Sequence, residues 1–207
     1  MKEKILKGLK WFFFSYIWIF ILMFAVDIVT KIAVFNVQQG VEATNSQDLI
    51  HGFVAITLRF NENAAFGLGF ENPAINRVLY IVIALIAAGI MTFIYVYKFK
   101  KLKSLYKVCL MLMLVGALGN CVDRLFYSFS DYRVVDWIDF YGIWPYVFNL
   151  ADSCIVVGTI MLIVLLIIDE VKDYKKNKPA KVAHEEKALS IEEQRRKDEI
   201  EASKNSK

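Results

Sequence analysis

The chain has few of the residues that build metal sites, disulfide frameworks and serine-type active sites, with two histidines and three cysteines in 207 residues. The three cysteines all lie in or at the ends of apolar segments: Cys109, Cys121 and Cys154. An odd number of thiols in such segments indicates small buried side chains rather than disulfides or a metal site. His51 has no catalytic companion in sequence and His184 lies in a charged tail, so a serine triad using Ser128 or Ser153 is disfavoured.

A strong excess of charge of one sign is also missing, because 25 basic residues face 21 acidic ones for a formal net charge of +4. That balance gives no basic footprint for nucleic acid. Apolar residues are abundant instead: they make up 57% of the chain, and the mean hydropathy is +0.43. Soluble domains average about 45–50% apolar residues. The composition therefore predicts an integral membrane protein.

Four apolar segments approach the length of about 20 residues that a helix needs to cross a bilayer. The predicted spans are 11–27, 78–97, 105–124 and 147–168. The first follows a lysine-rich start and resembles a secretory signal, but no small-residue cleavage site closes it, so we expect a retained span. The expected fold class is an all-α membrane protein with minor β structure, built on a bundle of four transmembrane helices.

Lysines are concentrated in residues 1–10, in the turn at 98–107 and after residue 170. By the positive-inside rule these three segments are cytoplasmic, so both termini face the cytoplasm and four helices cross. Five aspartates then fall on the outer side: Asp27, Asp123, Asp136, Asp139 and Asp152. This convergence predicts that the chemistry takes place at the outer face.

Two further segments lie outside the predicted spans. Residues 53–60 have strand-forming composition, the next three form a turn signal, and 64–70 can pair back as a second strand. We expect a small outer sheet, a β-cradle, within about residues 40–72. Residues 1–170 then form the membrane domain, and 171–207 a charged, mobile cytoplasmic tail with a possible short helix from Ser190 to about residue 202.

Asp152 is the most informative residue, because a carboxylate inside a membrane-spanning helix is expensive and is usually kept for function. Asn149 lies three residues before it, on the same helix face. Asp27 and Lys31 are four apart and can form an ordinary surface ion pair. Asn120 and Asp123 form another polar face, where Arg124 can neutralise a carboxylate or simply end the helix. Asp139 is expected to be solvated.

Several carboxylates at one end of a bundle suggest two kinds of chemistry. Two aspartates can share a proton, so that one acts as base and the other as acid in water attack on a peptide carbonyl. Alternatively, carboxylates can form a proton or ion relay in a small transporter, and a scaffold protein that binds a partner without cutting it is a third possibility. A relay needs polar groups through the membrane depth, yet the acids here share one level. That placement favours a site at the outer surface.

Five motifs occur in order across the four spans. They are Asp27-x-x-Thr30-Lys31, Asn61-x-x-Ala64-Ala65-Phe66-Gly67, Gly119-Asn120-x-x-Asp123-Arg124, Val134-Val135-Asp136 and Phe148-Asn149-x-Ala151-Asp152. Together they resemble lipoprotein signal peptidase (signal peptidase II) over about residues 11–168. The resemblance implies an aspartic endopeptidase of the bacterial cytoplasmic membrane. Such an enzyme removes signal peptides from prolipoproteins, cutting before a cysteine that carries diacylglycerol.

The resemblance also implies roles for individual residues. Asp136 and Asp152 would be the catalytic pair, working without a metal or organic cofactor. The other polar motif residues would support the pair and the substrate: Asp27, Lys31, Asn61, Asn120, Asp123, Arg124 and Asn149. The implied partners are the lipid-modified substrate and membrane lipids, and we expect a monomer.

The residues alone leave the partner of Asp152 open between Asp123 and Asp136. Asp123 ends a helix, whereas Asp136 is predicted to lie in a loop. We follow the resemblance for Asp136 and keep Asp123 as the alternative. Two features depart from the family pattern: Asn63 stands where glycine is usual, and the connection from Arg124 to Asp136 is longer than usual.

Overall fold

The computed structural model describes residues 2–42, 46–63 and 69–205. The helices are α1 (Lys2–Ser15), α2 (Ile17–Val37), α3 (Pro73–Tyr97), α4 (Ser104–Phe126) and α5 (Leu150–Asn205). Among the described residues, four helical segments are long and apolar enough to cross a membrane: Ile17–Val37, Pro73–Tyr97, Ser104–Phe126 and Leu150–Lys178. A mostly helical protein with four membrane-capable helices is therefore confirmed.

The first span lies further along the chain than the sequence predicted. Tyr16 has a left-handed backbone, with φ of 62°, which separates α1 from α2. The span therefore starts at Ile17 rather than at residue 11 and continues to Val37 rather than to Asp27. The prediction stopped at Asp27 because a charge inside a span is costly. The helix continues through this residue because its carboxylate is paired inside the protein.

The other spans agree more closely with prediction. Helix α3 starts at Pro73, five residues before the predicted start, because the Asn72 side chain accepts hydrogen bonds from the backbone nitrogens of Ala74 and Ile75 and caps the helix. The last span starts at Leu150 rather than at 147, since Val147–Phe148 forms a strand instead.

A small antiparallel sheet accompanies the helices. Its strands are β1 (Gln47–Ile50), β2 (Val54–Asn61), β3 (Val134–Asp139) and β4 (Val147–Phe148), in that spatial order. The prediction that Asp136 lies in a loop is wrong, because it lies in β3 opposite Arg59 of β2. The predicted second strand at 64–70 falls mostly on 64–68, outside the described residues, and 69–70 form no strand.

Two apolar clusters position the polar residues between them. Helices α3 and α4 pack through side chains that include Met91, Tyr95, Leu110 and Leu114. The sheet packs against the end of α2 and the segment after α4 through a second cluster: Val34, Leu58, Tyr127 and Val135. Val135 directly precedes Asp136, so this packing fixes the strand that carries the carboxylate.

The chain divides into two compact units, Met1–Leu162 and Ile163–Lys207. The second unit contains the remainder of α5, whose backbone is helical to Asn205. The short helix predicted from residue 190 is part of this longer helix. The mobility of the tail and a domain boundary near residue 170 stay predictions.

Candidate active site

Asp152 lies in the first turn of α5 and makes a reciprocal cap with Asn149. The backbone nitrogen of Asp152 donates to Asn149 Oδ1 at 2.9 Å, and the backbone nitrogen of Asn149 donates to Asp152 Oδ2 at 3.2 Å. This is the bonding pattern of a capping box, made here with Asn and Asp. The other carboxylate oxygen, Oδ1, accepts from Asn120 Nδ2 at 2.6 Å. Both oxygens of Asp152 are therefore held by uncharged N–H groups.

Asp136 is buried in β3 and is also held by two amides. Its Oδ1 accepts from Asn149 Nδ2 at 2.6 Å, and its Oδ2 accepts from Asn61 Nδ2 at 3.0 Å. Asn61 lies opposite Val134 in the ladder, so it is a diagonal neighbour of Asp136 on one face of the sheet. Burial, and then the negative charge of Asp152, raise the pKa of Asp136 well above its usual value.

Asn149 connects the two carboxylates. It exchanges two hydrogen bonds with Asp152, and its side-chain nitrogen donates to Asp136. The same nitrogen also lies 3.0 Å from Asn120 Oδ1. One asparagine at the start of α5 thus brings a helix-borne and a strand-borne carboxylate into one network.

A second group of charged residues lies behind this network. Lys31 Nζ is 2.9 Å from Asp27 Oδ2 and 2.9 Å from Asp123 Oδ2, and all three side chains are fully buried. Lys31 also donates to Asn120 Oδ1 at 3.0 Å. The reading of Asp27 and Lys31 as a surface ion pair is wrong, because Asp123 and the helices around them enclose both side chains.

Asp27 and Asp123 each accept a hydrogen bond from the backbone next to one of the two carboxylates, Asp152 and Asp136. Asp27 Oδ1 accepts from the backbone nitrogen of Ala151 at 2.9 Å, and Asp123 Oδ2 accepts from that of Val135 at 3.1 Å. Ala151 precedes Asp152, and Val135 precedes Asp136. Through Lys31, these contacts fix α2, α4, β3 and α5 around one point.

Gly119 allows these elements to approach closely. A Cβ atom at this position would lie 2.7 Å from Asp27 Oδ2 and 2.9 Å from the Cβ of Ala151. Both distances are shorter than real Cβ contacts, and both neighbours belong to the packed centre. The glycine of the Gly-Asn motif is therefore required so that α4 can lie against α2 and the start of α5.

Other predicted residues lie further from the two carboxylates. Arg124 donates to the carbonyl oxygens of Asn120 at 3.2 Å and Asn63 at 2.8 Å, rather than making the expected fork to a carboxylate. Asp139, expected to be solvated, is half-buried and accepts from the Thr57 hydroxyl at 2.9 Å.

The serine-triad and metal hypotheses gain nothing from the described residues. His51 is exposed and contacts Asp48, while the Ser153 hydroxyl donates to the carbonyl of Asn149. Within residues 2–42, 46–63 and 69–205, His, Cys, Asp and Glu side chains form no group of three that could hold a metal ion. All three cysteines are buried and free, as the sequence predicted.

Asn76 is a structural residue that the sequence analysis missed. Its Nδ2 donates to Asn63 Oδ1 and to the carbonyl of Phe70, and its Oδ1 accepts from the backbone nitrogen of Phe70. These bonds join the two ends of the segment that follows Asn61. The signal in the sequence was an asparagine in the first turn of an apolar helix. A polar amide in such surroundings is expected to be hydrogen-bonded within the protein.

The arrangement as a whole suits acid–base chemistry on a water molecule. Two carboxylates share one asparagine and one low-dielectric environment, in which both cannot easily be ionised. A pair with one shared proton supplies a base and an acid at the same time. The buried cation Lys31 contacts the other two aspartates directly and is linked to this pair through Asn120, which donates to Asp152.

Comparisons with known proteins agree with this geometry. The sequence pattern of the family described as Signal peptidase (SPase) II matches residues 19–168. The chain is 34% identical to the lipoprotein signal peptidase of Fusobacterium nucleatum subsp. nucleatum over 149 residues, which is 72% of this chain and 84% of that protein. It is 35% identical to the lipoprotein signal peptidase of Clostridioides difficile over 157 residues, covering 76% and 97%.

Solved structures show the same likeness. A bacterial membrane enzyme determined by the in meso method at 2.3 Å resolution superimposes with a TM-score of 0.62 and 27% sequence identity. The match covers 75% of this chain and 89% of that one. A second bacterial membrane enzyme, determined by the same method at 1.9 Å resolution, gives a TM-score of 0.58 at 27% identity, with 73% and 92% coverage.

Proposed function

The chain belongs to the signal peptidase II family, and we propose that Asp136 and Asp152 are the catalytic pair with which it carries out the family's reaction. It is a membrane aspartic endopeptidase that acts as a lipoprotein signal peptidase. The transporter and scaffold alternatives are not favoured. The observation that carries the assignment of the pair is the position of Asn149, whose side-chain nitrogen donates to the Asp136 carboxylate and whose backbone nitrogen donates to the Asp152 carboxylate.

The environments of the two carboxylates suggest how they divide the work. Burial, and then the charge of Asp152, raise the pKa of Asp136 well above its usual value, so we assign the shared proton of the pair to Asp136. Asp152, at the start of a helix where the dipole favours negative charge, is then the base. Asp152 takes a proton from the attacking water, while Asp136 gives its proton to the carbonyl oxygen. When the tetrahedral intermediate collapses, Asp152 passes its proton to the leaving amine, and Asp136 takes a proton back from the hydroxyl that becomes the new carbonyl oxygen. Each proton has a donor and an acceptor within the pair.

The remaining motif residues support this pair in different ways. Asn61, Asn120 and Asn149 donate to its carboxylate oxygens. Asp27, Lys31 and Asp123 fix the neighbouring backbone, and Arg124 fixes the turn that carries Asn63. None of these supporting residues needs to exchange a proton with substrate.

The lysine distribution supports an orientation with both termini in the cytoplasm. In that orientation the sheet forms an outer cradle, and the catalytic pair lies at the outer face of the bacterial cytoplasmic membrane. The substrate, a diacylglyceryl-modified prolipoprotein, would enter laterally from the bilayer with its lipid chains remaining there. We propose that one copy of the chain suffices, because the described polar network closes within a single chain.

A cleavage assay tests the assignment. Purified protein in detergent is mixed with a diacylglyceryl-modified prolipoprotein, and the loss of the signal peptide is followed by gel shift. Wild type is expected to cleave the lipidated substrate and leave its unlipidated form intact. Asp152→Asn and Asp136→Asn are each expected to lower the rate at least about a thousandfold, because each removes half of the acid–base pair.

Ser153→Ala provides the matched control, since it changes the residue next to Asp152 and removes only a hydroxyl bonded to the carbonyl of Asn149. This variant is expected to cleave at a rate close to that of wild type. Turnover by either folded aspartate variant at a rate near wild type would overturn the catalytic assignment. Failure of wild type to cleave a lipidated substrate would overturn the proposed function itself.

A further inference from the structure

A cavity of about 550 Å³ lies beside the catalytic pair, between the first turns of α3, the end of α4 and the start of β3. We call it the arginine cavity and define it by six of its lining residues: Asn61, Arg77, Val78, Ile81, Arg124 and Tyr132. Asn61 connects it to the catalytic pair, because the same side chain donates to Asp136. An occupant of this cavity would therefore lie one residue away from the reaction centre.

Arg77 is positioned by contacts that leave most of its guanidinium group available. Its Nε donates to the carbonyl oxygen of Arg124 at 2.8 Å, and its guanidinium carbon lies 3.7 Å from the centre of the Tyr132 ring. Among the described residues, no carboxylate lies within ion-pair distance of Arg77. The group is thus oriented, charged and only half-buried, with its two terminal nitrogens unused by these contacts.

Three arginines and two carboxylates line the cavity. Arg133 lies 3.7 Å from Glu62 and 3.4 Å from Asp131, so the two acidic residues of the lining both face this one arginine. Arg124 is buried, and its charge faces the carboxylates of the active site. With three arginines and two carboxylates, the lining carries one excess positive charge. No carboxylate lies within ion-pair distance of Arg77 among the described residues, so an anionic occupant is favoured beside it.

The backbone that presents Tyr132 to Arg77 adopts a costly conformation. Asp131 and Tyr132 have consecutive positive φ values of 54° and 59°, a backbone conformation that residues other than glycine rarely adopt. Hydrogen bonds from the backbone nitrogens of Tyr132 to the Tyr127 carbonyl and of Arg133 to the Ser130 carbonyl hold the turn in place. Strain of this kind is found where a structure maintains a binding site.

The lower part of the cavity is aliphatic. Ala74, Val78 and Ile81 lie at positions i, i+4 and i+7 of α3, and Leu85 continues the same stripe along this membrane-capable helix. Val78 is 62% exposed and Leu85 is 51% exposed, so the stripe faces the surroundings of the helix. An anion-binding group at the start of a membrane helix, above an exposed aliphatic stripe, matches a phosphate with an acyl chain below it.

We propose that the arginine cavity binds one anionic membrane phospholipid, whose phosphate is held by Arg77 and whose acyl chain lies along Val78 and Ile81. The planar guanidinium matches a phosphate with two parallel hydrogen bonds, and stacking on Tyr132 fixes its plane. This lipid is a resident neighbour of the active site and is distinct from the substrate. Its binding does not require cleavage.

The test measures lipid binding without any substrate. The wild-type chain is reconstituted in phosphatidylcholine nanodiscs, phosphatidylglycerol is titrated in, and bound lipid is counted by native mass spectrometry. Wild type is expected to retain one phosphatidylglycerol in preference to phosphatidylcholine. Arg77→Gln is expected to bind it about tenfold more weakly, as the loss of a charge-assisted contact predicts. Arg77→Lys keeps the charge without the fork, so its affinity is expected to fall between the two.

Arg59→Gln is the matched control, because Arg59 is half exposed on β2 and lies outside the cavity lining. It lowers the net charge by the same amount and is expected to retain the lipid. Equal weakening in Arg59→Gln and Arg77→Gln would overturn the proposal, because general charge attraction would explain the binding. Equal retention of phosphatidylglycerol and phosphatidylcholine by the wild-type chain would also overturn it, because the cavity would then not select an anion. Neither result depends on the catalytic assignment, since no peptide bond is cut.

Discussion

Two pairs of aspartates, all buried except the half-buried Asp152, lie close together in this protein, and they differ in the group that joins them. Asp27 and Asp123 are joined by Lys31, whose ammonium lies 2.9 Å from a carboxylate oxygen of each. Asp136 and Asp152 are joined by the uncharged amides of Asn149: its side-chain nitrogen donates to Asp136, and its backbone nitrogen donates to Asp152. The two pairs even share connections, since Lys31 reaches Asp152 through Asn120.

The joining group decides what each pair can do. A cation between two carboxylates compensates their charge directly, so both can remain ionised and act as fixed braces. An amide donates hydrogen bonds but carries no charge, so the second pair keeps its mutual repulsion and favours holding one proton. The first pair is therefore expected to brace the fold, and the second is the pair that we propose for acid–base chemistry.

Replacing Lys31, the cation that joins Asp27 and Asp123, is expected to have the largest effect on stability. Lys31→Met leaves two buried carboxylates without their shared partner and is expected to lower the free energy of unfolding by about 3–5 kcal/mol. Thermal unfolding of the purified protein in detergent measures the loss. Lys7→Met is the control, since Lys7 is exposed on α1 and its replacement should leave the melting temperature unchanged.

The triple variant Asp27→Asn, Lys31→Met, Asp123→Asn separates charge from shape. It removes the buried cation together with both carboxylates, so no buried charge in the brace remains unpaired, and it is expected to recover part of the stability lost in Lys31→Met. A triple variant that is less stable than Lys31→Met would contradict this account, because unpaired buried charge would then not explain the instability of Lys31→Met.

Removing the joining amide tests the second pair. Asn149→Ala deletes donors to a carboxylate and is expected to lower the cleavage rate about 10- to 100-fold. Without the Asn149 bond, the ionised form of Asp136 loses a partner, so the pKa of Asp136 rises further. Because activity falls as Asp136 loses its proton, the alkaline limb of the rate–pH profile should move to higher pH.

Asn72→Ala controls for the helix-capping role that both asparagines share. Asn72 caps α3 through the backbone nitrogens of Ala74 and Ile75 and has no bond to the catalytic pair. Both variants are expected to lose about 1 kcal/mol of stability as capping residues. An identical rate–pH profile in Asn149→Ala and wild type would contradict the role given to the amide.

The smallest expected effect concerns Tyr127, which packs near the brace formed by Lys31, Asp27 and Asp123. Its hydroxyl is buried and has no hydrogen-bond partner among the described residues, and burial raises its pKa to about 12. Tyr127→Phe removes a polar atom that gains nothing in the folded state, so stability should change by less than about 1 kcal/mol. A loss well above that value in thermal unfolding would show that the hydroxyl is part of the brace.

Local patterns predicted much of this site correctly. The spacing of Asn149 and Asp152 placed both on one helix face, and the structure adds that they form a cap. The spacing of Asp27 and Lys31 predicted their ion pair, but it could not predict burial, because the third member, Asp123, is 92 positions further along the chain. Burial here is a property of the packing of α2 against α4.

The strand of Asp136 was harder to predict, for a different physical reason. A strand with one solvated face shows alternating polar and apolar residues. In β3, the consecutive residues Val134, Val135 and Asp136 are all buried, so this alternation is missing. The strand is instead stabilised by pairing with β2, more than 70 positions earlier in the chain. Neither its pairing nor its enclosure is visible in a local segment.

The central claim is that Asp136 is the partner of Asp152 in catalysis and that Asp123 is a brace. The most direct test measures cleavage rate and thermal stability together for Asp136→Asn and Asp123→Asn. We expect Asp136→Asn to lose cleavage at near wild-type stability, and Asp123→Asn to lose stability while the folded fraction still cleaves. The reverse pattern, with cleavage retained in Asp136→Asn and abolished in a stable Asp123→Asn, would contradict the account.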